Sequence, residues 1–143
     1  MNYLISKYSS NQVCNNHPKT RDELKILVDK LIKERGNEAN LNDIDTSAIT
    51  DMSYIFYDSE FDGDISNWDV SNVKDMSGMF YDSEFDGDIS NWDVSNVEDM
   101  SGMFRNSQFN GDISNWDVSN VEDMSYMFEN CPVQNNPPSW YKQ

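Results

Sequence analysis

The tripeptide Asp-Met-Ser recurs at Asp51, Asp75, Asp99 and Asp123, always 24 residues apart. Between these landmarks runs Phe-Asp-Gly-Asp-Ile-Ser-Asn-Trp-Asp-Val-Ser-Asn-Val, from Phe61, from Phe85 and, with Asn110 in place of Asp, from Phe109. A fixed period in the 20–50 range predicts stacked units, none of which can bury its apolar residues alone. Degenerate copies flank the regular ones. Leu41, Ile44, Ile49 and Met52 fall where Ile65, Trp68, Val73 and Met76 stand one period later, and Val133 and Trp140 continue the Phe109 and Trp116 positions in a last unit that Pro137 and Pro138 interrupt. Imperfect end units are what an array needs to close its ends.

Within one unit, Ile65, Trp68, Val70 and Val73 have the spacing of the leucine-rich-repeat strand segment. Trp68-Asp69-Val70 alternates as a strand does, and Met76, Met79 and Phe80 sit at i, i+3 and i+4 behind Asp75, which suits a helix N-cap. Gly63 supplies the turn back. The expected fold is therefore an α/β repeat solenoid of leucine-rich-repeat type: a parallel strand ladder on one side, short helical turns on the other, and an N-terminal capping helix. The tryptophans and methionines are expected in its core rather than in a ligand cage.

Thr20 and Glu23 make a capping box, Leu24, Leu27, Val28, Leu31 and Ile32 form one apolar face, and Gly36 ends the segment. This helix is expected to cover the first unit's open edge. Four segments result: a polar, loosely ordered tail (1–19), the capping helix (20–36), the repeat array of about four units (37–131) and a C-terminal cap (132–143). Charge divides the chain in the same way. Residues 1–50 carry seven basic and seven acidic side chains, residues 51–143 three basic and nineteen, so the net −16 lies in the array. That field argues against direct binding to nucleic acid or to anionic lipid.

No run of about 18 apolar residues is present, so a membrane span is not expected. Met1 to Cys14 does not read as an export signal, which predicts a cytoplasmic chain. Cys14 and Cys131 lie beyond opposite ends of the array, so free thiols are expected rather than a disulfide.

Residues 63–80, Gly-Asp-Ile-Ser-Asn-Trp-Asp-Val-Ser-Asn-Val-Lys-Asp-Met-Ser-Gly-Met-Phe, resemble the repeat of BspA-like leucine-rich-repeat surface proteins, and the resemblance extends over roughly residues 39–131. It implies adhesion or protein–protein contact, a cell-surface or secreted location, and no catalytic residues.

The outward positions of the unit place Asp45, Asp69, Asp93 and Asp117 in one column beside Asn67, Asn91 and Asn115, with Asp43 heading the asparagine column. Carboxylates about 5 Å apart repel by roughly 0.8 kcal/mol per pair in water, so an in-register column predicts an acidic binding face. The competing reading is that each Asp caps amides of its own turn. A second pattern, Asp58, Glu60, Asp62 and Asp64, repeated as Asp82, Glu84, Asp86 and Asp88, approaches calcium-loop spacing, but the third copy reads Asn106, Gln108, Asn110 and drops the charge. Metal binding is not the expectation, nor is any cofactor. Catalysis finds no footing either, since His17 is the sole histidine and no nucleophile has a base placed beside it. The function expected is a monomeric protein–protein interaction module with an acidic repeat face for a basic partner. The first alternative is an acidic mimic of nucleic acid that inhibits a DNA- or RNA-binding enzyme, since duplex DNA carries one charge per about 1.7 Å of axis; the second is a calcium-binding surface adhesin repeat. A salt-insensitive contact through exposed aromatics such as Tyr57, Tyr81 and Tyr126 would indicate ordinary recognition instead.

Overall fold

The computed structural model describes residues 16–142; the tail up to residue 15, Cys14 included, lies outside the described residues. Helix α1 spans Arg21–Arg35, and the described chain after it is built mainly from turns, with one short 3-10 segment at Pro132–Asn135. The Thr20 hydroxyl caps the Glu23 N–H, and the Glu23 carboxylate accepts from the Lys19 N–H. Gly36, at φ 93°, closes the helix with its N–H on the Ile32 carbonyl. Leu24, Leu27, Val28 and Leu31 are buried in one cluster with Leu41, Ile44 and Ile49 of the first coil. Arg21 donates to the Ser53 carbonyl and Arg35 forks onto Asp43, so both ends of α1 are fastened to that coil. Helix α1 therefore packs against the first coil.

The α/β solenoid with a parallel strand ladder does not form. Among the described residues the β-pairing between successive 24-residue coils is limited to isolated parallel bridges, Asn40 with Asp64, Asp51 with Asp75, Asp75 with Asp99 and Asp99 with Asp123. The short helical turns at Met76–Phe80 are absent as well. In the expected strand, Trp68 and Val73 close i→i+3 turns on Ile65 and Val70 at 3.1 and 3.0 Å, and the backbone explains the loss of the helical turns. The N–H groups of Met76, Gly78, Phe80 and Asp82 reach the carbonyls of Asp99, Ser101, Met103 and Arg105 on the next coil at 2.8–2.9 Å. Met79 and Tyr81 instead close i→i+3 turns on Met76 and Gly78. Strand-like and turn-like bonds thus alternate residue by residue. Two columns also take left-handed φ: Tyr54, Gly78, Gly102 and Tyr126 at 58–60°, and Asp58, Asp82, Asn106 and Asn130 at 53–56°. An extended run cannot pass through such residues, and neither can a right-handed helix.

The core is a set of side-chain ladders. Phe56, Phe80, Phe104 and Phe128 stack at 5.5–5.8 Å within 8° of parallel, and Phe61, Phe85 and Phe109 stack beside them at 6.1–6.4 Å. Trp68, Trp92 and Trp116 are buried, and each indole N–H donates to a carbonyl 27 residues earlier, on Leu41, Ile65 and Ile89 respectively. Trp140 repeats the bond to Ile113 and so covers the last coil. Pro132 opens a 3-10 turn, Pro132–Asn135, at the place where Glu84 and Gln108 donate to the preceding coil. Proline has no N–H to continue that row. The side chain of Gln134 then takes the Asn130 N–H, whose counterparts on Asp82 and Asn106 bond to a following coil.

Residues 16–19 depart from the expectation of a loose tail. Asn16 accepts the Asp45 N–H and donates to Asp43, and His17 lies 2.9 Å from the Asp45 carboxylate.

Candidate interaction surface

Each of the three regular coils bends at three Asp-x-Ser corners. At Asp64, Asp69 and Asp75 the Oδ1 atom accepts the N–H of the serine two residues on, Ser66, Ser71 and Ser77, together with its hydroxyl. The following coils repeat this at Asp88, Asp93 and Asp99, then at Asp112, Asp117 and Asp123. These are Asx turns, in which a short carboxylate bonds its own backbone. The sequence-level acidic column of Asp45, Asp69, Asp93 and Asp117 is exposed, as expected, and each member also caps its own turn.

Electrostatics rank the two roles. The Ser95 hydroxyl and N–H hold the Asp93 carboxyl below the usual range, while the neighbouring Asp117 pushes it up more weakly. Asp117 is lowered by Ser119 in the same way. Asp45 falls to about 2 under the Ser47 hydroxyl and N–H, with His17 adding to them. At Asp45, Asp93 and Asp117 local hydrogen bonds outweigh repulsion, so these three carboxylates stay ionised at neutral pH.

Asn67, Asn91 and Asn115 are exposed. The asparagines that tie coils together are others, overlooked in the sequence: Asn72, Asn96 and Asn120 each donate 2.7 Å bonds to the carbonyls of Ser47, Ser71 and Ser95. Their 24-residue recurrence was the available signal.

The calcium-like positions have separate tasks. Asp58 and Asp82 occupy left-handed corners, where Asn106 and Asn130 serve equally. Asp62 and Asp86 accept the N–H groups of Asp86 and Asn110 one coil on, and Asp64 and Asp88 cap Asx turns. Glu60 receives a long 3.5 Å bond from Asn37, and Glu84 is exposed. Among the described residues no three His, Cys, Asp or Glu side chains gather to hold a metal ion.

A second surface lies half a period further along the coil. Tyr54, Tyr57 and Tyr126 are 44%, 49% and 60% exposed, and Tyr81 is half-buried between them. Tyr57 meets Tyr54 and Tyr81 edge-on at 5.8 and 5.5 Å. The Arg105 guanidinium lies over the rings of both Tyr81 and Tyr126, at 5.6 and 5.0 Å, and is held by Glu129 at 2.9 Å. The aromatic residues Tyr57, Tyr81 and Tyr126 were legible in the sequence. Tyr54 and Arg105 were not, though reading down the 24-residue columns gives Tyr-Gly-Gly-Tyr and Tyr-Tyr-Arg-Glu. A cleft of about 500 Å³ adjoins Tyr126, lined by Met124, Glu129, Gln134, Tyr141 and Lys142.

Against this geometry, the profile of a family described as Mycoplasma protein of unknown function, DUF285, matches residues 27–140. The chain belongs to that family. The match begins within α1 and ends at Trp140, so it spans most of the capping helix, all the coils and the closing tryptophan. No curated protein and no solved structure shows significant similarity to the chain. No helix among the described residues is long and apolar enough to cross a membrane.

Proposed function

We propose that the chain is a protein–protein interaction module whose coils present a fixed array of carboxylates to a basic partner. The observation that carries this reading is the state of Asp93 and Asp117: exposed, clamped by Ser95 and Ser119, and held below the usual carboxylate range. Charges fixed in position keep their field without ordering side chains on binding. With three basic and nineteen acidic residues in the array, that field steers cationic surfaces inward. The resemblance to the BspA-like repeat, whose members are assigned to adhesion and protein contact, points the same way. A direct test is to titrate the chain with a hexa-lysine peptide at 20 and 300 mM salt. Binding that weakens with salt, and a slower on-rate in Asp69→Asn with Asp117→Asn, is expected. Absence of binding at the lower salt concentration would overturn the reading.

A further inference from the structure

Resting on that reading of a basic partner, we infer that Tyr54, Tyr57 and Tyr81 form a recognition site for an arginine side chain of the partner. Three observations lead there. The first is that the chain already displays the recognition mode on itself. Arg105 stacks on Tyr81 and Tyr126 within the range where a ring quadrupole attracts a guanidinium, and Glu129 fixes its edge. Two coils earlier the place of Arg105 is taken by Tyr57; Arg105 covers Tyr81 from one side, and among the described residues no guanidinium lies over the rings of Tyr54 or Tyr57.

The second observation is conformational. Positions 54, 78, 102 and 126 all adopt φ near 58–60°. Glycine serves at Gly78 and Gly102, whereas Tyr54 and Tyr126 hold bulky side chains in a backbone state that disfavours them. A residue kept at such a position where glycine fits the coil points to a task for its side chain: Tyr126 carries Arg105, whereas among the described residues no guanidinium lies over Tyr54. Tyr54 also leans over Gly78, where any Cβ would come within 2.2 Å of its ring, so the missing side chain makes room for the tyrosine.

The third is charge. Tyr57 is followed by the exposed Asp58 and Tyr81 by the half-exposed Asp82. After residue 50 the described cations are Lys74, Arg105 and Lys142. Aromatic faces next to carboxylates in a strongly negative field suit a guanidinium, which stacks and carries charge together. A lysine ammonium satisfies the charge and gains less from the rings.

The test compares hexa-arginine with hexa-lysine by calorimetric titration against the full chain, its Tyr54→Gly/Tyr57→Ala variant and its Tyr54→Phe/Tyr57→Phe variant. Glycine is chosen at position 54 because it relieves the backbone, so the first variant folds as the Gly78 and Gly102 coils do. Hexa-arginine is expected to bind about two- to fivefold more tightly than hexa-lysine. That preference should vanish in the Gly/Ala variant and persist in the Phe variant. Equal affinity for the two peptides, or a preference that survives the Gly/Ala change, overturns the arginine site while leaving the acidic-array reading intact. Failure of both peptides to bind overturns the two together.

Discussion

The indole N–H of Trp92 donates to the carbonyl of Ile65, 3.1 Å away and one coil earlier. The same bond joins Trp68 to Leu41 and Trp116 to Ile89, so each tryptophan both fills its coil and satisfies a buried polar group of the one before. Buried carbonyls without a partner cost about 1–3 kcal/mol. Replacing Trp92 by Ala should therefore destabilise by about 3–5 kcal/mol through cavity formation alone. Trp92→Phe keeps most of the volume and should still cost about 1–3 kcal/mol. Urea melts of the two variants measure this. A Phe variant as stable as the parent would show that the hydrogen bond contributes nothing.

Glycines differ in how closely the neighbouring coil approaches. A Cβ on Gly63 would stand 2.0 Å from the Ala39 carbonyl oxygen, which is backbone and cannot swing away. On Gly102 the nearest atom is 3.7 Å off, leaving only the cost of φ +60°. Gly102→Ala should lose about 1–2 kcal/mol, the left-handed penalty. Gly63→Ala should lose more, about 3 kcal/mol, since the coils must separate. The order of the two melting temperatures is the check, and a reversed order contradicts the close approach at Gly63.

Stability should fall in acid within a defined window. Asp45, Asp93 and Asp117 have folded-state values below those of the unfolded chain. Such groups contribute stability that is complete above the unfolded value of about 3.9 and is lost as pH drops through the folded one, about 2 for Asp45. Thermal melts should be flat between about pH 7 and 5 and decline between about pH 4 and 2. A decline already complete at pH 4 would contradict the clamped carboxylates.

Removing the turn bond tests the two roles of the acidic column against each other. Asp93→Ala deletes the acceptor for the Ser95 N–H and hydroxyl and relieves the weaker repulsion from Asp117. A lower melting temperature at both low and high salt is expected. A gain that disappears as salt is added would instead mean that repulsion along the column dominates.

Cys131 is buried, donates to the Phe109 carbonyl, and burial pushes its thiol up. Alkylation at pH 7.5 followed by mass spectrometry of the modified peptide should find Cys131 protected in the folded chain and reactive in 6 M guanidinium. Rapid native labelling would place the thiol at the surface.

The 24-residue spacing by itself determined a great deal. It dictated that Ile65, Trp68, Val73, Met76 and Phe80 recur in register, that they are buried, and that Asn67 and Asp69 face outward, because identical units can only share a core by stacking. The capping helix was equally legible, since Thr20, Glu23 and Gly36 are local signals that act through neighbouring backbone. Tertiary structure decided what lies between the ladders. Spacing of apolar residues is the same for a strand and for a chain of Asx turns, so Ile65-x-x-Trp68-x-Val70 read as strand. Only the Asx turns at Asp64 and Asp69 and the i→i+3 bonds of Trp68 on Ile65 and of Val73 on Val70 exclude it. The tyrosine surface likewise waited for the stack. Tyr54 and Tyr81 are 27 residues apart, and Arg105 meets Tyr81 and Tyr126 from different coils. Their meeting depends on how the coils are laid against one another, which no local propensity encodes.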